Sequence, residues 1–171
     1  MLRMIKRGRV LVPVLLTCVL GTVAAERSTQ AHDRCRHVQG TIHSAFTSVN
    51  CTSPIGLCTV GKISGGGPLD GATTFQALSA APSAGMPGVE PAANLSYSGE
   101  LTINARRGTL VTRDLGVLDV ANVAFTELDR PVSGTGRMEN PTGVIFISGP
   151  IVDNGTAFDG TLSGQLCVDD D

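Results

Sequence analysis

Leu95-Ser96-Tyr97-Ser98-Gly99-Glu100-Leu101-Thr102-Ile103-Asn104-Ala105 is the stretch that decides the fold. Leu95, Tyr97, Leu101, Ile103 and Ala105 share one parity; Ser96, Ser98, Glu100, Thr102 and Asn104 share the other. Successive side chains of a strand point to opposite faces, so the alternation predicts a half-buried strand. Arg106-Arg107-Gly108 then reads as a hairpin turn, with Thr109 to Leu115 returning. Outward from this hairpin the same grammar repeats. Val38, Ile42 and Phe46 alternate with Gln39, Thr41 and His43, and Phe158, Leu162, Leu166 and Val168 alternate with Asp159, Thr161, Ser163 and Gln165. Less regular strands fit 57–64, 69–80, 117–129 and 143–151, and a Pro/Gly/Ala-rich loop fits 81–93. About eight antiparallel strands joined mostly by short turns can close into an up-and-down barrel, which removes exposed sheet edges. A two-sheet β-sandwich is the alternative.

Composition agrees with an all-β chain. The 171 residues are one domain's worth, and 21 Gly with one Tyr and no Trp argue against a helical bundle. Four basic residues and no acid lie in 1–25, which leaves nine basic against fifteen acidic residues in 26–171, a formal charge of −6. A nucleic-acid binder needs Lys and Arg to neutralise phosphates, so this balance excludes that partner class.

The basic stretch Met1 to Arg9, the apolar run Val10 to Val23 and the small residues Val23-Ala24-Ala25 read as a secretory signal peptide over 1–25, cleaved after Ala25. Leu15-Leu16-Thr17-Cys18 offers a competing lipobox reading, with Cys18 lipidated. The run is too short for comfortable spanning, which takes about 20 apolar residues, and no other stretch approaches that length. The expected mature chain is therefore secreted or periplasmic and has no transmembrane segment. Residues 26–34 read as a polar arm, 35–168 as a single barrel domain and 169–171 as an acidic tail.

Cleavage leaves Cys35, Cys51, Cys58 and Cys167. An even count in an exported chain predicts two disulfides, with three connectivities open. Cys35 and Cys167 both take the polar, outward parity of the first and last strands, so a bond between them would pin those strands together as barrel closure requires. Cys51 and Cys58 flank a turn-rich segment suited to a local clasp. No CxxC pair or histidine spacing suits zinc, and no cofactor is indicated.

Gly134-Thr135-Gly136-Arg137-Met138-Glu139-Asn140-Pro141-Thr142-Gly143 resembles the GTG-x-F-x-x-A-x-G signature of plant dirigent proteins and allene oxide cyclases. Gly134, Thr135, Gly136 and Gly143 match it; Met138 stands at the aromatic position and Pro141 at the small one. The downstream run, with its Gly160 and Gly164 ending, resembles the closing strands of that family, and the layout of 35–168, with its Cys51–Cys58 segment, is also similar to small exported bacterial proteins of unassigned function with this calycin-like barrel. The resemblance implies a closed barrel with a shaped cavity. It transfers no catalytic position, because the signature glycines have a backbone role.

Three histidines are present. His37 and His43 share a face but stand about 20 Å apart at ~3.3 Å per residue, too far to ligate one ion, and His32 lies in the arm. No GxSxG is present. Asp169-Asp170-Asp171 reads as a free acidic tail, and Asn50, Asn94 and Asn154 head glycosylation sequons. The one chemical signal is charge on the apolar parity. Arg113 shares parity with Val111 and Leu115, and Glu127 with Val123 and Phe125. With Tyr97, they are expected inside the barrel as an ion pair or polar floor, because buried charge demands a partner. The competing expectation is a bulge that turns either one to solvent. The functional expectation is a non-enzymatic barrel binding a small, largely apolar ligand or serving as a surface module. A cavity enzyme steering a reactive intermediate and a protein-interaction module are the alternatives.

Overall fold

The structure, a computed structural model, describes residues 34–83 and 94–168. The expected signal, most of the polar arm, most of the 81–93 loop and the acidic tail lie outside the described residues. Eight strands follow in chain order: β1 (Arg34–Thr47), β2 (Cys58–Ser64), β3 (Gly71–Pro82), β4 (Asn94–Ala105), β5 (Gly108–Asp119), β6 (Ala124–Gly134), β7 (Thr142–Val152) and β8 (Ala157–Val168). Each pairs antiparallel with its sequence neighbour, and β1 pairs with β8, so the sheet closes into one barrel. The fold is the expected all-β, eight-stranded antiparallel barrel; the sandwich alternative is overturned by the β1–β8 ladder.

Closure is covalent as well as hydrogen-bonded. Cys35 stands directly opposite Cys167 in the β1–β8 register, and the two are bonded. The second disulfide joins Cys51 to Cys58 at the start of β2.

The up-and-down order gives the barrel two unlike ends. One carries the Cys35–Cys167 bond and the connections at 65–70, 106–107 and 135–141. It is plugged by aliphatic side chains: Val38, Ile63, Leu69, Leu110, Met138 and Leu166 are almost wholly buried. The resemblance segment builds part of this plug. Gly136 turns at φ +62°, a conformation that favours glycine, in the short 3₁₀ turn Gly136–Met138 that seats Met138 in the lumen. Thr135 fastens the turn to β5, its amide donating to Thr109 O at 2.9 Å and its Oγ1 accepting from Thr109 N at 3.0 Å.

The turn between β5 and β6 and the alternation along β3 differ from expectation. The run 109–115 does not stop before Gly116; β5 continues to Asp119, and the turn comes at 120–123. Asp119 fixes it by accepting from both the amide and the Nδ2 of Asn122, at 3.0 and 2.8 Å. A bulge at Leu78 in β3 shifts the alternation, so that Ala77 and Ala80, not Ser79, line the lumen.

Candidate functional site

The other end of the barrel is open in character. Its lumen holds a cavity of about 100 Å³. Four of the five phenylalanines (Phe46, Phe75, Phe125 and Phe158) and the sole tyrosine, Tyr97, line it. Phe125 and Phe158 meet edge-on with centroids 4.7 Å apart, and Phe75 and Tyr97 meet edge-on at 6.3 Å. Such rings bring large apolar area with directional packing, so the cavity walls are both greasy and stiff. Leu95, Leu118 and Ile151 complete the upper wall. The mouth is apolar too: Phe46, Ile55 and Leu57 are exposed there.

The disulfide clasp positions Ile55 and Leu57. The segment 48–57 is tied to β3 by Ala77 N donating to Leu57 O at 2.9 Å, by Ser53 Oγ donating to Ala77 O, and by Thr52 Oγ1 donating to Gln76 Oε1 at 2.7 Å. The Cys51–Cys58 bond closes the same segment.

Beneath the apolar mouth the wall turns acidic, and sequence register explains how. Tyr97 on β4, Gly116 on β5 and Glu127 on β6 form one cross-strand row; Gly99, Asp114 and Asp129 form the next row down. A Cβ on Gly116 would lie 2.1 Å from Tyr97 Cζ, so only glycine lets the ring lie across β5. The phenol then reaches the third strand and donates to Glu127 Oε2 at 2.7 Å. Gly99 serves the same purpose below: its missing side chain leaves room for the Phe75 ring and the Asp114 carboxyl. Asp129, fully buried, accepts from Thr112 Oγ1 at 2.8 Å. Both oxygens of Asp114 and Oδ2 of Asp129 are buried without a hydrogen-bond partner of good geometry.

Three carboxyl groups thus face one lumen, and every basic side chain among the described ones is exposed. Burial penalises the charged form of each acid, and mutual repulsion adds to it. Burial pushes Asp114 up to about 7, against partial relief from the backbone amides of Gly99 and Asp114 and from Arg113. Asp129 is likewise raised to about 7, first by burial, with the Thr112 bond lowering it and Asp114 raising it. Glu127 is pushed well above the usual carboxylate range by burial and then by Asp129, while the Tyr97 bond works the other way. Tyr97 is also raised, by burial and by the Glu127 charge, so its phenol keeps its proton. The wall is a set of weak, proton-holding acids under an apolar mouth.

Tyr97 and Glu127 therefore meet inside the barrel. Arg113 does not join them. It lies on the outer face and pairs with Glu100 at 3.1 Å, its side chain about half exposed at 52%. Val111 and Leu115 misled the parity: on β5 the inward positions are Leu110, Thr112, Asp114, Gly116 and Leu118, and Leu115 stands 68% exposed outside. The crossing Tyr97 and Phe75 rings take the space that large β5 side chains would fill, so small and polar residues face in. No Arg113–Glu127 ion pair exists.

The histidines are surface residues where described. His43 Nδ1 lies 2.6 Å from Asp159 Oδ1, and His37 is exposed; His32 lies outside the described residues. Among the described residues, no group of three His, Cys, Asp or Glu is placed to hold a metal ion. Gly134 and Gly143, like Thr135 and Gly136, serve close backbone packing: a Cβ on Gly134 would lie 1.9 Å from Met138 O, and one on Gly143 2.1 Å from Gln165 O.

Sequence reasoning missed Asp114 and Asp129. Asp129 was within reach, since it continues the parity of Phe125 and Glu127. Asp114 was not, because its same-face neighbours Thr112 and Gly116 carry no apolar signal. No described helix is long and apolar enough to cross a membrane. Comparison with protein families, with curated proteins and with solved structures finds no match to this chain.

Proposed function

We propose that this disulfide-bonded barrel is exported and works as a cup that holds a small, largely apolar ligand in the open half of its lumen without transforming it. The single observation that carries the reading is the asymmetry of the lumen. Its aliphatic residues fill one end, while its aromatic residues surround a cavity at the other. Exposed Phe46, Ile55 and Leu57 at a mouth cost solvation in the free protein, and an apolar occupant would cover them. At about 100 Å³ the enclosed space is smaller than the ~300–1,000 Å³ of drug-sized sites, so it takes a small ligand or one end of a longer one.

Export is supported by the basic and apolar leader pattern in 1–25, and two disulfides accord with an oxidising compartment. The proposal extends to kinship. The Gly134–Gly143 turn and the cup-like barrel are what a relation to the allene oxide cyclase and dirigent barrels implies.

Incubating the purified, oxidised protein with a lipid and phenolic extract, washing it and identifying retained compounds by mass tests the reading. Retention of a small apolar compound at one per barrel is expected. Its loss is expected in Ala77→Leu, which fills the cavity. Retention that the Ala77→Leu substitution leaves unchanged would place binding elsewhere and overturn the cup. The Tyr97–Glu127 pair favours one second reading, a cavity enzyme that supplies a proton to a reactive intermediate. Recovery of the retained compound in chemically altered form would decide for it.

A further inference from the structure

The acid wall has a property that a simple apolar cup does not need: it gathers three buried carboxyl groups and no basic side chain. Glu127 lines the cavity. Its carboxyl accepts a hydrogen bond from Tyr97, whereas an ionised carboxylate can accept about four. Behind it, Asp114 and Asp129 are almost wholly buried; one oxygen of Asp129 makes no hydrogen bond, and Asp114 has only poorly aligned backbone amides, those of Gly99 and Asp114, near its carboxyl. The Tyr97 and Thr112 hydroxyls beside these groups are already committed, to Glu127 and Asp129. The groups facing Glu127 are Tyr97 from β4, Asp114 from β5 and Asp129 from its own strand; opposite it in register, β7 presents Ile147. No cation faces it from any of these elements.

We propose that the ligand is an amphiphilic amine, with its apolar body between Phe46, Leu118 and Phe158 and its ammonium group on the Glu127 carboxylate beside Tyr97. This rests on the cup being a binding site. An ammonium carries three donors and one positive charge, which is what the wall lacks, and a short apolar tail suits the aromatic walls and mouth. A neutral alcohol fills the same apolar space but offers one donor and no charge. A carboxylate adds a fourth acid to an enclosed acidic lumen. Binding exchanges charge cleanly: the ammonium enters with its proton, Glu127 gives up its own proton to solvent, and the ion pair forms in place of a neutral carboxyl. Because burial raises Glu127, this release accompanies binding at neutral pH, and affinity rises from mildly acidic to mildly alkaline conditions.

Calorimetric titration of the purified, oxidised protein with hexylamine, 1-hexanol and hexanoate, in two neutral buffers of different ionisation enthalpy, tests this. Hexylamine is expected to bind at least about tenfold more tightly than hexanol and to release protons, with hexanoate weakest. Glu127→Gln keeps the shape and should weaken hexylamine about tenfold or more while leaving hexanol within about twofold. Hexanol binding as tightly as hexylamine in the wild type overturns the amine assignment and leaves the apolar cup standing, whatever the variant does. Hexylamine binding that Glu127→Gln leaves unchanged overturns it as well. Failure of all three probes to bind overturns the cup itself.

Discussion

Gly116 and Asp114 are two inward neighbours on β5, and they carry opposite physical demands. Gly116 exists for space. Gly116→Ala would set a methyl 2.1 Å from Tyr97 Cζ, so the ring must move and its bond to Glu127 must break. The expected cost is about 1–3 kcal/mol, as for overpacking. The chain has one tyrosine and no tryptophan, so the tyrosine near-ultraviolet signal reports on Tyr97 alone and should change with it. An unchanged spectrum with unchanged stability would contradict the row Tyr97–Gly116–Glu127. Asp114 exists at a cost. Its folded-state value near 7, like that of Asp129, lies above an unfolded value of 3.8, so the folded protein holds more protons than the unfolded chain between those limits. Stability contributed by these groups is therefore full on the acid side and is lost as pH rises through about 4 to 7. Asp114→Asn should be nearly neutral in mild acid and stabilising in mild alkali, on the order of 2–4 kcal/mol. Denaturant melts at the two pH values check it; equal destabilisation at both would mean that Asp114 is not a buried acid.

At the scale of elements, the two disulfides divide the work. Cys35–Cys167 joins residues 132 apart and locks the β1–β8 ladder, whereas Cys51–Cys58 joins residues 7 apart and shapes one edge of the mouth. In the chain-entropy model the long closure contributes about 5 kcal/mol and the short one about 2–3 kcal/mol. Replacing each pair by serine and comparing urea midpoints tests the order; a larger loss from the clasp pair would contradict it. The strands themselves were legible because period-2 alternation survives wherever one face meets water. Leu95 to Ala105 read correctly for that reason, and so did the pairing of first strand with last. β5 did not, because its outer face carries Leu115 and Val117 while its inner face carries Thr112, Asp114 and Gly116. Alternation gives the period but not the sign, and the sign on β5 is set by two rings arriving from β3 and β4. That is long-range information. Arg113 was misplaced with it, whereas Tyr97 sat on a strand whose apolar face is its inner face, and Glu127 two residues from Phe125, which is buried in the lumen.

For the molecule as a whole, the lumen has a closed aliphatic half, a belt of weak acids on one wall, and an aromatic half under an apolar mouth. The division follows the up-and-down order, which sends the 48–57 clasp to the mouth and the Met138 turn to the plug. Ligand uptake should therefore be local in space. The measurement that tests this most directly is a methyl NMR titration of the oxidised protein with 1-hexanol. The account predicts saturable shifts at Ile42, Leu101, Leu118 and Ile151, which line the cavity, with little change at Ile63, Leu69, Ile145 and Leu166 in the plugged half. Shifts concentrated in the plugged half, or confined to outer-face methyls such as Leu115 and Val117, would contradict it.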